Sequence, residues 1–327
     1  MKNKTNSYVH FKLWITLLLL IATGSCSKDN ITDPEPEPDG IYRIAVVVHV
    51  IHHGEPVGEG YNLSVERIER QIEILNEDFR RKEGTGGFND HPDGTDTKIE
   101  FMLAKTSPDG QPTNGITRVN KDTVENPILY GDKFNHFAFY GYWDPELYIN
   151  IWLDPLPEDL IDIVLGEATG PDTDLPGHEL LLDGEPKMSE GIIINSYHFG
   201  ESNKSADYNL GRTLTHEAGH YLGLLHLWGS GDCETNDYCD DTPPVKRNTI
   251  GCPSPPPLAC NGQPAMIENY MDFTPDRCMN IFTIDQTERM HYVLENSPYR
   301  KTLLSSPGLK TPLPLSQKER GLTLSLY

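Results

Sequence analysis

Between Thr215 and His226 the chain reads Thr-His-Glu-Ala-Gly-His-Tyr-Leu-Gly-Leu-Leu-His, and this spacing constrains the fold more than any other segment does. His216 and His220 stand four residues apart, so on a helix they leave the same face one turn apart. Gly223 marks the expected end of that helix, because glycine readily takes the left-handed conformation found at helix termini. The chain can then turn and return His226 beside the first two. Two imidazoles on one face and a third brought back by a turn make a ligand set for Zn²⁺, with Glu217 beside the metal's open position. Three protein ligands and a water describe a catalytic site, whereas a structural zinc site closes with four. A bare H-E-x-x-H arises by accident in amphipathic helices. Here Gly223 and His226 are both in register, and Leu214, Tyr221, Leu222, Leu224 and Leu225 supply an apolar face to bury.

The extended pattern, completed by a downstream methionine turn, is the metzincin signature. Met271, in Glu268-Asn269-Tyr270-Met271-Asp272-Phe273, is the candidate for that turn. This segment and Thr274 to Thr283 after it resemble the pappalysin family, which includes ulilysin-like bacterial proteases and pregnancy-associated plasma protein A. Val46-Val47-Val48-His49-Val50, the run from Gln71 to Arg80, and Asp240-Asp241-Thr242-Pro243 are similar to the same family. The resemblance covers about residues 41–300. It implies an α+β zincin-like fold, with a twisted, mostly parallel sheet, a backing helix, the zinc helix, and a loop-rich, disulfide-stapled C-terminal lobe. The upper lobe is expected over about 41–223 and the lower over about 224–300.

Metal chemistry then predicts a zinc endopeptidase. Zn²⁺ held by His216, His220 and His226 lowers the pKa of its water toward ~7 and polarises a scissile carbonyl. Glu217 is the general base, and Met271 an apolar floor beneath the ligands. The substrates are proteins or peptides outside the cell. The alternative is a noncatalytic surface binding protein that retains the fold; Glu217, which such a protein has no reason to keep, discriminates between the two.

The formal charge of −22 offers no basic stripe for phosphates and so argues against nucleic acid. The N-terminal segment is a targeting signal. Lys2, Lys4 and Lys12 precede the apolar run Leu13 to Ala22, then Thr23-Gly24-Ser25-Cys26. The apolar run is too short for a comfortable membrane span. Cys26 resembles the lipidated cysteine of bacterial lipoproteins, which makes residues 1–26 a signal peptide with its acylation site and the lipid the only membrane contact. The expected location is the outer membrane or cell surface, or, as the alternative, plain secretion. Residues 27–40, acidic and proline-rich, read as a tether. The tail, 301–327, has no sustained period and is expected to be disordered. A single monomeric enzyme suits the remaining length.

The other five cysteines, Cys233, Cys239, Cys252, Cys260 and Cys278, all follow the zinc helix. In an oxidising compartment disulfides are the default, and five thiols leave at least one over; their pairing is open on sequence grounds. The resemblance favours Cys233–Cys260 and Cys252–Cys278, with Cys239 unpaired. Asp232, Asp237, Asp240, Asp241 and Thr242 cluster in one loop; they read either as an acidic solvated turn or as the hard oxygen ligands of Ca²⁺, which ulilysin-like enzymes carry near this loop.

Two departures concern the cleft. Phe273 stands where the family usually has tyrosine, and a phenyl ring cannot donate a hydrogen bond, so weaker or substrate-shifted activity is expected. Several relatives cut before Arg by means of acidic groups beyond the methionine turn. Asp276 is the candidate for such a preference here, although Arg277 beside it opposes a cation.

Periodicity places the remaining elements. Ile41–Ile51 and Lys98–Ala104 read as strands, as do Leu147–Leu153 and Gly191–Ser196. Ser64 caps a helix over Val65 to Lys82 with Ile68, Ile72, Leu75 and Phe79 as its stripe. Leu210 to Leu222 is the zinc helix, and Thr283 with Gln286 forms a capping box for a last helix to Asn296.

Overall fold

The computed structural model describes residues 39–124, 133–160, 163–181, 189–234 and 236–312. The signal peptide, Cys26 and most of the acidic tether lie outside these residues.

The first strand, β1 (Tyr42–His52), is apolar on both faces and buried along nearly its whole length. Such a run suits an interior strand of a parallel sheet covered on both sides. One face packs Ile44, Val46, Val48 and Val50 under α1 (Val65–Phe79), and the other packs Ala45 and Val47 against Tyr148. β1 pairs in parallel with β2 (Ile99–Leu103) over Tyr42–Val46, then with β3 (Ile116–Asn120) over Val48–His52. Its other edge pairs with β4 (Ile149–Asp154), which pairs with β6 (Ile192–Asn195). The short strand β5 (Gly166–Ala168) closes the order β2-β1-β4-β6-β5 as the one antiparallel member among the described residues. A further short helix, α2 (Lys133–Ala138), buries Phe134 and Phe137 against Trp152 and Ile193.

The helix α1 begins where expected. The Ser64 hydroxyl accepts the Arg67 amide at 3.2 Å, and Ile68, Ile72, Leu75 and Phe79 are buried. It ends three residues earlier than the periodicity predicts, at a turn where Arg81 takes a positive φ. The zinc helix is α3 (Arg212–Tyr221), and the last helix is α4 (Ile284–Asn296), whose Thr283–Gln286 capping box is present in both directions. No helix among the described residues is long and apolar enough to cross a membrane.

Beyond Gly223 the chain is mostly loop and is stapled by Cys233–Cys260 and Cys252–Cys278, each with Cα atoms 6.1 Å apart. Cys239 is free and buried, and burial raises its thiol pKa far above the ordinary value. Its surroundings therefore keep it unreactive.

The first part of the tail corrects an expectation, whereas residues 313–327 lie outside the described residues. Residues 301–312 are ordered: Leu303 is fully buried, the Lys105 amide donates to the Gly308 carbonyl at 2.8 Å, and Thr106 Oγ1 donates to the Lys310 carbonyl at 2.5 Å. Just before it, the buried Arg300 guanidinium lies 3.5 Å from the Tyr221 ring centroid and donates to the Tyr221 carbonyl at 2.9 Å. The segment lacks a hydrophobic period because it is held by individual contacts with β1, β2 and the residues just after β2.

Candidate active site

The zinc helix is fixed at both ends and along its buried side. Gly211 stands at the N-cap and has no side chain to satisfy the first amides. Asp276 does so from another segment: its Oδ2 accepts Leu210 N at 2.7 Å and Arg212 N at 3.3 Å. A carboxylate is favoured there by the helix dipole. On the side facing α1, Thr215 Oγ1 donates to Asp78 Oδ2 at 2.8 Å, and Gln71 Nε2 donates to the Gly211 carbonyl at 2.9 Å. At the other end Gly223 adopts φ +93°. Its amide donates to His220 O and that of Leu224 to Gly219 O, both at 2.9 Å, which is a Schellman close. Arg289 of α4 then donates from Nε to the Gly223 carbonyl at 2.6 Å.

This turn returns His226 to the helix. The three Nε2 atoms of His216, His220 and His226 lie 3.0–3.2 Å apart. Among the described residues they form the one group of three potential ligand side chains close enough to share an ion. His216 Nδ1 lies 2.7 Å from the Tyr270 carbonyl, and His220 Nδ1 lies 2.8 Å from the Leu224 carbonyl. A carbonyl only accepts, so both Nδ1 atoms carry the proton and both Nε2 atoms present lone pairs. Burial holds the His216 pKa down to about 3 and the His220 pKa to about 4, and pushes that of His226 far down as well. The Nε2 lone pairs of His216 and His220 face each other at 3.0 Å and repel unless a proton or cation lies between them. Tetrahedral zinc with bonds of about 2.0–2.1 Å sets neighbouring nitrogens about 3.3 Å apart, so the residues fit the metal.

Glu217 is 7% exposed beside this centre. Burial pushes its carboxyl up to about 8, and the charge of Glu167 adds to the rise. The backbone of β5 passes close by: a Cβ on Gly166 would come within 2.8 Å of Glu217 Cγ. Met271 is fully buried under the helix, where a Cβ on Gly219 would meet its Sδ at 2.5 Å. Its amide donates to Asn269 Oδ1 at 2.9 Å, and Asn269 is locked to Gln286 by reciprocal amide bonds of 2.9 and 3.1 Å.

Phe273 is half-exposed, with its ring centroid 5.6 Å from that of His216 and 4.8 Å from that of His226. His226 also stacks on Trp228 at 4.3 Å, and the Trp228 and Phe273 rings lie 4.9 Å apart. A cleft of about 640 Å³ runs past these groups and is bordered by Gly166, Thr213, Tyr208, Asp276 and Phe273 among others. Asp276 thus borders the cleft but is 2% exposed and engaged with the helix amides, and Arg212 lies near enough to oppose its charge. Arg277 turns outward and pairs with Asp207 at 2.5 Å.

The acidic loop divides. Asp237 is buried, with Oδ1 accepting Thr242 Oγ1 at 2.6 Å and Oδ2 without a protein partner; Asp241 Oδ1 is in the same position. The Asp240 amide donates to Asp285 at 2.8 Å, whereas Asp232 is exposed and accepts the Glu234 amide at 2.9 Å within its own turn. Asp78, Gln71 and Arg289 have no individual role in the sequence reading; each is a polar residue on an otherwise apolar helix stripe, which marks a buried hydrogen bond.

A three-histidine centre on a helix under a mostly parallel sheet, floored by a buried methionine, defines the class of metzincin metalloproteases. Comparison with known proteins agrees. Residues 132–295 match the peptidase M43 family model, described as pregnancy-associated plasma protein-A. Extracellular metalloprotease 1 of Coccidioides posadasii is 45% identical over 251 residues, 76% of this chain and 75% of that one. An extracellular metalloprotease of Verticillium alfalfae is 30% identical over 278 residues, covering 83% and 84%. With the one from Arthroderma otae the match is 43% over 88 residues, a span of 33% of that protein. Mature mirolysin of Tannerella forsythia in complex with a cleaved peptide superposes with a TM-score of 0.67 at 33% identity, covering 85% of this chain and all of that one. The chain belongs to the M43 (pappalysin) family of metzincin metalloproteases, whose members carry a catalytic zinc.

Proposed function

We propose that this chain is an exported zinc endopeptidase in which His216, His220 and His226 hold the metal and Glu217 is the general base. The observation that carries the reading is the convergence of three Nε2 atoms at 3.0–3.2 Å, two of them with the tautomer fixed by backbone carbonyls. Zn²⁺ bound there supplies Lewis acidity toward a water and the scissile carbonyl. Glu217 takes the proton of the attacking water as its oxygen joins the carbonyl carbon. It delivers that proton to the amide nitrogen as the C–N bond breaks. Such acid–base help is typically worth ~10²–10⁴-fold in rate. Burial suits Glu217 to this work, since a carboxyl removed from bulk water binds a proton more readily.

Met271 packs the floor, and Tyr270 and Leu224 orient the ligands through their carbonyls. Phe273 brings no hydroxyl to the cleft, so its contribution is confined to packing His216 and His226. Asp276 gives one end of the cleft a partly compensated negative charge, which supports a preference for Arg after the scissile bond. Ca²⁺ would be held near Asp237, Asp241 and Thr242, because two buried carboxylate oxygens there have no protein partner. The extracellular metalloprotease relatives support export, and a lipid anchor at Cys26 belongs to the same reading. The test is cleavage of a mixed peptide library, abolished by a chelator and restored by Zn²⁺. Cleavage that persists after complete removal of metal would overturn it.

A further inference from the structure

Beyond His226 the cleft carries an apolar wall that bond cleavage itself does not need. Leu225 directly precedes His226 and is buried, Leu181 is half-buried, and Leu180 is 45% exposed; all three border the same cleft as Glu217. The wall is built rather than incidental. Gly177 holds φ +78°, and a Cβ there would come within 2.6 Å of Leu225 Cδ1 and 2.4 Å of Tyr238 Cε2. A Cβ on Gly170 would come within 2.6 Å of Leu181 Cβ. Any larger residue at either position would push the leucines out of place.

Arg289 joins the two segments that carry them. Its Nε donates to the Gly223 carbonyl at 2.6 Å and its Nη2 to the Pro176 carbonyl at 2.9 Å. A buried planar guanidinium bridging two carbonyls is a stiff connection. The loop bearing Leu180 and Leu181 is thereby tied to the turn that returns Leu225 and His226. Asp276 and Arg212, at the N-terminal end of α3 rather than beyond its C-terminal end, give the same cleft a charged part. A leucine surface left open to water gains from being covered by an apolar group.

We propose that Leu180, Leu181 and Leu225 form a specificity subsite for one large apolar side chain of the peptide, such as Leu, Ile, Phe or Met. That side chain lies across the scissile bond from the residue facing Asp276. The proposal rests on the endopeptidase reading, and the experiment separates the two. Cleavage of a peptide library would be profiled for the wild type, Leu180→Glu and the control Leu258→Glu, an exposed leucine outside the cleft. In parallel, the same peptides would be tested for binding to zinc-loaded Glu217→Ala, with and without Leu180→Glu.

The expected result is one library position enriched in large apolar residues. The ratio of kcat/KM for Leu over Ala at that position should fall about tenfold in Leu180→Glu, mainly through KM, and hold in Leu258→Glu. Binding to Glu217→Ala should show the same dependence on Leu180. An unenriched library, or a ratio and a binding preference that Leu180→Glu leaves alone, overturns the subsite. If the wild type cuts nothing while binding still depends on Leu180, the subsite stands and the endopeptidase reading falls.

Discussion

β1 and the stretch from Gly223 to Thr283 are held still by opposite means. β1 is bonded along both edges and buried on both faces by its own repeating apolar side chains. The second stretch contains only a single 3₁₀ turn, Asp276–Cys278, as regular structure among the described residues. It is fixed instead by two disulfides and by single bonds such as Asn269 to Gln286, Arg289 to Gly223, and Thr249 N to Asp272 Oδ1 at 2.8 Å. Repeated burial spreads stability over many residues. Specific bonds concentrate geometry in a few, and the Tyr270 carbonyl that orients His216, the floor Met271 and the ligand His226 all lie in the second region. Damage to the sheet should therefore appear first in stability, and damage to the loops in metal binding and rate.

The largest break should come from His226→Ala, which leaves a two-nitrogen centre. Zinc affinity by chelator competition should fall by more than the ~10–100-fold that loss of a supporting partner costs, with the thermal midpoint of the apoprotein little changed. Phe79→Ala tests the other side. Phe79 is fully buried against Phe101 and Phe282, so truncation should cost about 3–5 kcal/mol in denaturant unfolding while folded protein keeps its zinc affinity. Replacing Cys252 and Cys278 by Ser should cost about 2–4 kcal/mol and, unlike Phe79→Ala, should also lower the specific activity of folded protein. The smallest effect is Ser64→Ala at the cap of α1, about 1 kcal/mol, with catalysis untouched. Equal losses of zinc affinity from Phe79→Ala and from the cysteine replacement would erase the distinction.

The same contrast explains what could be read in the sequence. The strands β1 and β4 and the helices α1 and α4 carry either a continuous apolar run or a 3.6 period with a cap, and the structure agrees to within about three residues at each end. The histidine set was visible because its spacing is local. The two disulfides came with the family resemblance rather than with any spacing. β5 is three residues long and α2 six, too short to show a period, and β3 is only half-buried throughout. The placement of Asp276 at the helix amides was invisible for another reason. It follows from Gly211 having no capping side chain, and the two residues meet only in the folded chain.

The role of Glu217 beside a zinc centre is tested by comparing wild type and Glu217→Ala, each loaded with Zn²⁺ and assayed for metal content and for peptide cleavage by mass spectrometry. One zinc per chain is expected in both, with cleavage in the wild type and a loss of ~10²-fold or more in the variant. Stoichiometric zinc in both with equal cleavage, or with none in either, would contradict that role.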